Sequence, residues 1–284
     1  MKCYLCQSTH IGYREGKVRD RSDIRVCECQ ECGLVFLEDF EHIGETFYED
    51  DKMHQTNAEV PEMFNTDSAE DTRRRFALHH KTLANKSILD FGCGKGDFLH
   101  QLKREGLSSR LCALEPNRRF HADLSGNFTL YSDIDEIEDG SLEVITMFHV
   151  LEHLKDPAAI LDKLHAKLVH GGKLIIEVPS ANDALLTLYR SPEFMNFTYW
   201  SCHLFLFNRH TFEKLIGKTD FQVEYIKSYQ RYSLANHLHW LSKGKPGGHI
   251  LWSFLDDELL NQAYASKLAS LDLSDTLVVQ IGRV

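Results

Sequence analysis

Residues Ile88–Leu99 read ILDFGCGKGDFL. An apolar run, Ser87-Ile88-Leu89-Asp90-Phe91, has the composition of a buried strand. The next segment, Asp97-Phe98-Leu99-His100-Gln101-Leu102, has apolar residues at helical spacing. Between them Gly92, Gly94 and Gly96 alternate with other residues. A strand, a tight glycine turn and a helix start form a cradle for a nucleotide-like ligand. The spacing is G-x-G-x-G, which departs from the dinucleotide fingerprint G-x-G-x-x-G.

Segments downstream extend the pattern. Ser109 to Pro116, SRLCALEP, reads as a second buried strand ending in Glu115. Glu115 follows the last glycine by about 20 residues, the distance at which an acid after strand two meets ribose hydroxyls. A third strand runs from Phe128 to Asp133, and a fourth, LEVITMFHV, from Leu142 to Val150. The segment HVLEHLKDP follows, and Gly171-Gly172-Lys173 leads into a fifth strand, LIIEVP. His149, Glu152 and His153 match the zinc-protease string H-x-x-E-H, but they straddle a strand end, whereas that chemistry needs both histidines on one helix.

These five segments, in order over about residues 85 to 180, resemble class I S-adenosylmethionine-dependent methyltransferases. The resemblance implies an α/β fold, a doubly wound seven-stranded Rossmann-like sheet. It implies S-adenosylmethionine bound by Asp90, Gly92, Gly94, Gly96, Glu115, Asp133 and Phe148, with Asp133 facing the adenine.

The N-terminus carries a second signal. Five of the eight cysteines lie in the first 32 residues. Cys3, Cys6, Cys29 and Cys32 form two C-x-x-C knuckles, the four-thiolate set of structural zinc. Cys27 is an alternative to Cys29, and His10 a weaker outside ligand. A disulfide ranks below zinc. The N-terminus has no apolar signal segment, so a reducing cytoplasm is the expected compartment. Cys93, Cys112 and Cys202 read as small buried hydrophobes. Four thiolates leave no open position for water, so the zinc is expected to be structural.

The 284 residues suffice for one α/β domain plus an appendage. An apolar fraction of 43% allows a sizeable core. Lysines and arginines number 32 against 42 acids, a net charge of −10, which disfavours nucleic acid as a partner. No apolar run reaches the roughly 20 residues that span a bilayer. The triplet Arg73-Arg74-Arg75 reads as a solvated helix face. The expected organisation is a zinc ribbon over 1–45, a helical connector and lid over 46–84, and a methyltransferase domain over 85–284. That domain carries insertions at 180–207 and 228–274, expected to build an acceptor pocket.

Methyl transfer to a hydroxyl benefits from a general base, and histidine suits neutral pH. The candidates are His203, then His149, then His153. Tyr199 with His203 resembles the Tyr and His that follow strand five in zinc-ribbon sugar C-methyltransferases. A zinc ribbon before this core is similar to enzymes that methylate nucleotide sugars or surface-polysaccharide sugars, which implies a sugar-like small-molecule substrate. Those C-methyltransferases carry a further C-terminal domain. This sequence ends at the seventh strand, so O-methylation is expected, with N- and C-methylation open. The rival readings are an RNA methyltransferase and a non-catalytic partner that retains the cofactor fold.

Overall fold

The computed structural model describes residues 1–44, 46–49 and 65–284. Its main sheet has seven strands. Five are parallel: β4 (Ser87–Phe91), β5 (Arg110–Leu114), β6 (Thr129–Tyr131), β7 (Leu142–Phe148) and β8 (Leu168–Pro179). Strand β11 (Thr276–Gly282) lies antiparallel between β8 and β10 (Gln222–Tyr229). The order is β10-β11-β8-β7-β4-β5-β6. The order reverses at β4, so its glycine turn opens at a topological switch point, where open α/β sheets bind ligands. Central strands are covered on both faces, which is why Ile88-Leu89 and Leu174-Ile175-Ile176 are continuous apolar runs.

Strand β8 begins earlier than expected. The Gly171-Gly172 pair lies inside it, because the pairing with β7 shifts between Leu142 and Val144. A bulge there accommodates the glycine turn without ending the strand.

The N-terminal segment forms a second sheet from β1 (Ile11–Tyr13), β2 (Val26–Cys29) and β3 (Val35–Leu37). Its fourth strand, β9 (Phe205–Leu206), comes from the first insertion and pairs with β3. Ribbon residues such as Leu34 and Phe36 share one buried cluster with Leu89 and Ile145 of the main sheet. The Tyr4 hydroxyl donates to Asp156 Oδ1 at 2.5 Å. Asp156 caps the N-terminus of the helix Pro157–Lys167. A ribbon too small to hold its own core is thereby built onto the larger domain.

The expected lid falls partly on residues 50–64, which lie outside the described residues, as does residue 45 of the expected ribbon. The described helix Asn65–Leu83, α1, packs Phe76 and Leu83 against Phe98 and Leu102 of α2 (Asp97–Arg104). The solvated-face reading of the arginine triplet is corrected here. Arg73 is exposed, but Arg74 and Arg75 turn inward to Glu177. Glu177 sits fully buried near the end of β8, and its charge requires partners there.

The insertions hold short helices. The first carries Ala184–Thr187 and Pro192–Thr198. The second carries Leu234–Lys243, which we call α3, stopped by left-handed Gly244, then Gly248–Leu251 and Glu258–Ser270. Among the described residues no helix is long and apolar enough to cross a membrane.

Candidate active site

A cavity of about 320 Å³ lies at the carboxyl ends of β4 to β7. Gly92, Gly94, Glu115, Asp133, Ile134, Tyr48, His149 and His153 line it. Gly94 has φ 56°, and a Cβ there would project into open space beside the cavity. Gly92 has φ 71°, and its Cβ would lie 2.6 Å from the Val150 side chain. Both positions therefore need glycine, one for a left-handed turn at the cavity wall and one also for close approach.

Glu115 Oε2 accepts from the Gly94 backbone N–H at 2.7 Å, and Oε1 from that of Asn117 at 2.8 Å. Each oxygen keeps a lone pair for a ligand hydroxyl. Burial pushes this carboxyl up, against those two backbone bonds. Asp90 is buried below the turn, receives Thr146 Oγ1 at 2.7 Å, and is pushed by burial up to about 6. Gly96 forms the N-cap of α2 and approaches Leu124. Phe148 packs instead against Phe98 and stacks with His79.

A second cavity of about 240 Å³ adjoins the first. Phe194, Phe197 and Trp240 give it an aromatic wall, and Asp183, Arg231, Asn236 and His237 give it polar groups. His149 lines both cavities, while His203 lines the second. Tyr199 lines neither of these cavities, though it meets His203 in a small pocket beneath the ribbon. Its buried ring faces Gly16 of the ribbon, and its phenol is coupled to Arg14.

The fold brings the three candidate histidines together. His149 follows β7 at φ 56°, left-handed backbone that costs a non-glycine residue about 1–2 kcal/mol. It is held there by three contacts. Its N–H donates to the Glu177 carbonyl at 2.8 Å. Its Nδ1 lies 3.3 Å from Glu152 Oε1, and its Nε2 3.1 Å from Glu177 Oε1. Two carboxylates on two ring nitrogens call for two N–H groups, so His149 is arranged as an imidazolium. Burial opposes that charge, but the two carboxylates prevail and hold its pKa above the ordinary value. His153 and His203 meet edge to face at 5.0 Å. Burial first, then neighbouring His153, lowers His203 to about 3. His203 is therefore neutral at physiological pH.

Behind His149 lies an ionic cluster not anticipated from the sequence. Glu177 accepts two bonds from Arg74 at 2.8 Å each and two from Arg75 at 3.1 and 2.7 Å. Arg231 binds Asp71 and stands 3.4 Å from His149 Nε2. A glutamate inside the apolar run LIIEVP was the available signal, because a buried charge requires a countercharge.

Cys3, Cys6, Cys29 and Cys32 converge at the ribbon tip, with their sulfurs within 4.8 Å of one another. Cys3 meets Cys32, and Cys6 meets Cys29, at 3.5 Å. Cys27 points away, 3.8 Å from the Met1 sulfur, and His10 lies beside Glu31 instead. The convergent set has the donor chemistry and spacing of a tetrahedral zinc site.

Residues 62–226 match the family described as "Methyltransferase domain". The chain belongs to this family. It carries a methyltransferase domain of the class I, S-adenosylmethionine-dependent fold. This methyltransferase is similar to the ubiquinone biosynthesis O-methyltransferase of Nitrosococcus oceani, 30% identical over 132 residues, 43% of this chain and 51% of that protein. It is also similar to the tRNA U34 carboxymethyltransferase of Alteromonas mediterranea, 30% identical over 118 residues, 36% of this chain and 35% of that one. The chain spans about half the length of the first of these relatives and about a third of the second. A methyltransferase structure from Archaeoglobus fulgidus superimposes with TM-score 0.52 at 18% identity, covering 76% of this chain and 93% of that one, and shares the fold.

Proposed function

We propose that this methyltransferase transfers the methyl group of S-adenosylmethionine to a hydroxyl of a small polar acceptor, a sugar or nucleotide sugar. The observation that carries this reading is the second cavity, which meets the glycine-turn cavity at His149. Its aromatic wall suits the apolar face of a sugar ring, and its carboxylate, guanidinium and amide groups suit hydroxyls. Similarity to a ubiquinone biosynthesis O-methyltransferase supports oxygen as the acceptor atom.

S-adenosylmethionine supplies an activated methyl group for in-line displacement. In this reading Glu115 binds the ribose hydroxyls, Asp133 lies near the adenine, and Gly92 and Gly94 let the backbone approach. Phe194, Phe197 and Trp240 position the acceptor, and alignment supplies much of the rate. Cys3, Cys6, Cys29 and Cys32 hold a structural zinc that fixes the ribbon and, through β9, the segment carrying His203.

The test is a transfer assay with isotopically labelled cofactor against a panel of nucleotide sugars, free sugars, catechols and RNA. A methyl ether on a sugar hydroxyl is the expected product. Methylation of catechols alone, or of RNA alone, overturns the acceptor class. Absence of cofactor binding by calorimetry overturns the reading altogether.

A further inference from the structure

Glu152, His153 and His203 come from two separate stretches of chain, yet one donor atom of each lies within 4.8 Å of the others. Glu152 and His153 lie on the short turn Leu151–His153 after β7, and His203 precedes β9. The backbone locks them together. The Leu204 N–H donates to the Glu152 carbonyl at 2.8 Å, and the Tyr48 hydroxyl donates to the His153 carbonyl at 2.9 Å.

All three side chains carry a buried polar atom with no hydrogen-bond partner: Glu152 Oε2, His153 Nδ1 and His203 Nδ1. A buried polar atom left unsatisfied loses its hydration without a replacement bond, so three in one place call for a shared ligand. The Cys202 backbone lies close enough to the His153 ring to favour its protonated nitrogen. With the ring proton on Nε2, the unpartnered Nδ1 presents a lone pair, the arrangement of a metal-binding histidine. Glu152 Oε1 is occupied by His149, which leaves Oε2 for the same centre. Two imidazoles and one carboxylate suit a first-row divalent cation better than magnesium or calcium.

We propose that Glu152, His153 and His203 bind a divalent transition-metal cation, distinct from the cysteine cluster, at the boundary of the two cavities. His153 lines the cofactor side and His203 the acceptor side. Its catalytic use rests on the acceptor reading above; its binding does not. Held there, the cation takes the acceptor hydroxyl oxygen on an open position and eases loss of the hydroxyl proton to water. The oxygen–methyl bond forms as the methyl–sulfur bond breaks, and the electron pair leaves on sulfur as a neutral thioether. This accounts for histidines placed poorly for a base: His149 is held by carboxylates on both ring nitrogens, and His153 and His203 face each other.

The experiment uses the full chain with its cysteine cluster loaded with zinc, titrated calorimetrically with Mn(II) and, separately, Co(II). One further equivalent is expected, and Co(II) should show only the weak visible bands of nitrogen and oxygen ligands, without thiolate charge transfer. Glu152→Gln and His203→Ala should each weaken that equivalent at least about tenfold while ribbon zinc and cofactor affinity stay unchanged. No equivalent beyond the ribbon metal, or equal affinity in both variants, overturns the site. If a variant loses its ribbon zinc through misfolding, the wild-type stoichiometry alone decides. Transfer to a sugar hydroxyl that proceeds fully with only the ribbon metal present sinks the cation and spares the acceptor reading. A bound cation with no transfer to any hydroxyl does the reverse.

Discussion

Glu177 Oε1 stands 3.1 Å from His149 Nε2, and the same carboxylate accepts both Arg74 and Arg75. One buried anion at the end of β8 thus fixes the strained residue at the junction of the cavities and ties helix α1 to the sheet. Removing one member of such a buried set leaves the others uncompensated. Glu177→Gln keeps the shape and deletes the charge. It should destabilise the fold by about 3–5 kcal/mol, read by urea denaturation. A loss below about 1 kcal/mol would show that Asp71 alone balances the arginines.

Glu115→Ala should weaken S-adenosylmethionine. A hydrogen bond to a charged group is worth about 1.5–3 kcal/mol, and 1.4 kcal/mol is one decade. Calorimetry should therefore show affinity falling at least about tenfold. Unchanged affinity would remove Glu115 from the ribose.

The glycine turn and the paired cysteine knuckles were legible in the sequence, because each depends on short-range spacing, whereas the seven-stranded sheet around the turn was legible only through the family resemblance. Gly92 to Gly96 needs only its own strand and helix to form a cradle. Cys3, Cys6, Cys29 and Cys32 converge through two local turns. The choice against Cys27 was not legible, since both cysteines sit two apart on one strand and only the turn after Cys29 brings one of them to the other sulfurs. The Glu177 cluster joins residues about 100 positions apart, and Arg74 looked like any solvated arginine until β8 supplied its partner. Tyr199 and His203 lie one helical turn apart in number, yet the chain leaves its helix at Tyr199, so Tyr199 faces the ribbon alone while His203 reaches from the ribbon-side pocket they share to the acceptor cavity.

Asp90 makes stability depend on pH in a stated direction. Its carboxyl is raised by burial from 3.8 to about 6. A raised folded pKa means that its favourable contribution is complete below about pH 4 and lost as pH rises through about 6. Two pKa units correspond to about 3 kcal/mol. Asp90→Asn retains an acceptor for Thr146 and should stabilise the cofactor-free protein by up to about 3 kcal/mol at pH 7.5. The gain should vanish near pH 4. Urea denaturation across that range tests it, and a pH-independent gain would assign the effect to packing.

Cys29→Ser should abolish ribbon zinc, whereas Cys27→Ser should retain a full equivalent. Elemental analysis of the two variants reads this directly. The reverse result would exchange their roles. Because β3 pairs with β9, loss of ribbon metal should also lower turnover while leaving cofactor affinity within about threefold.

Phe197 is the half-buried ring of the acceptor wall, stacked obliquely with Trp240 at 5.1 Å. It lies outside the residues lining the cofactor cavity. A ring contact is worth about 1 kcal/mol, roughly a fivefold change in binding. Phe197→Ala should therefore raise KM for a sugar acceptor at least about fivefold, and Phe197→Tyr should restore most of the loss. The cofactor Kd should not move in either variant. If KM for the acceptor is unchanged in Phe197→Ala while kcat falls, the aromatic wall packs the insertion rather than the substrate, and the acceptor must enter instead by the wider polar cleft of Asp71, Tyr229 and Ser253.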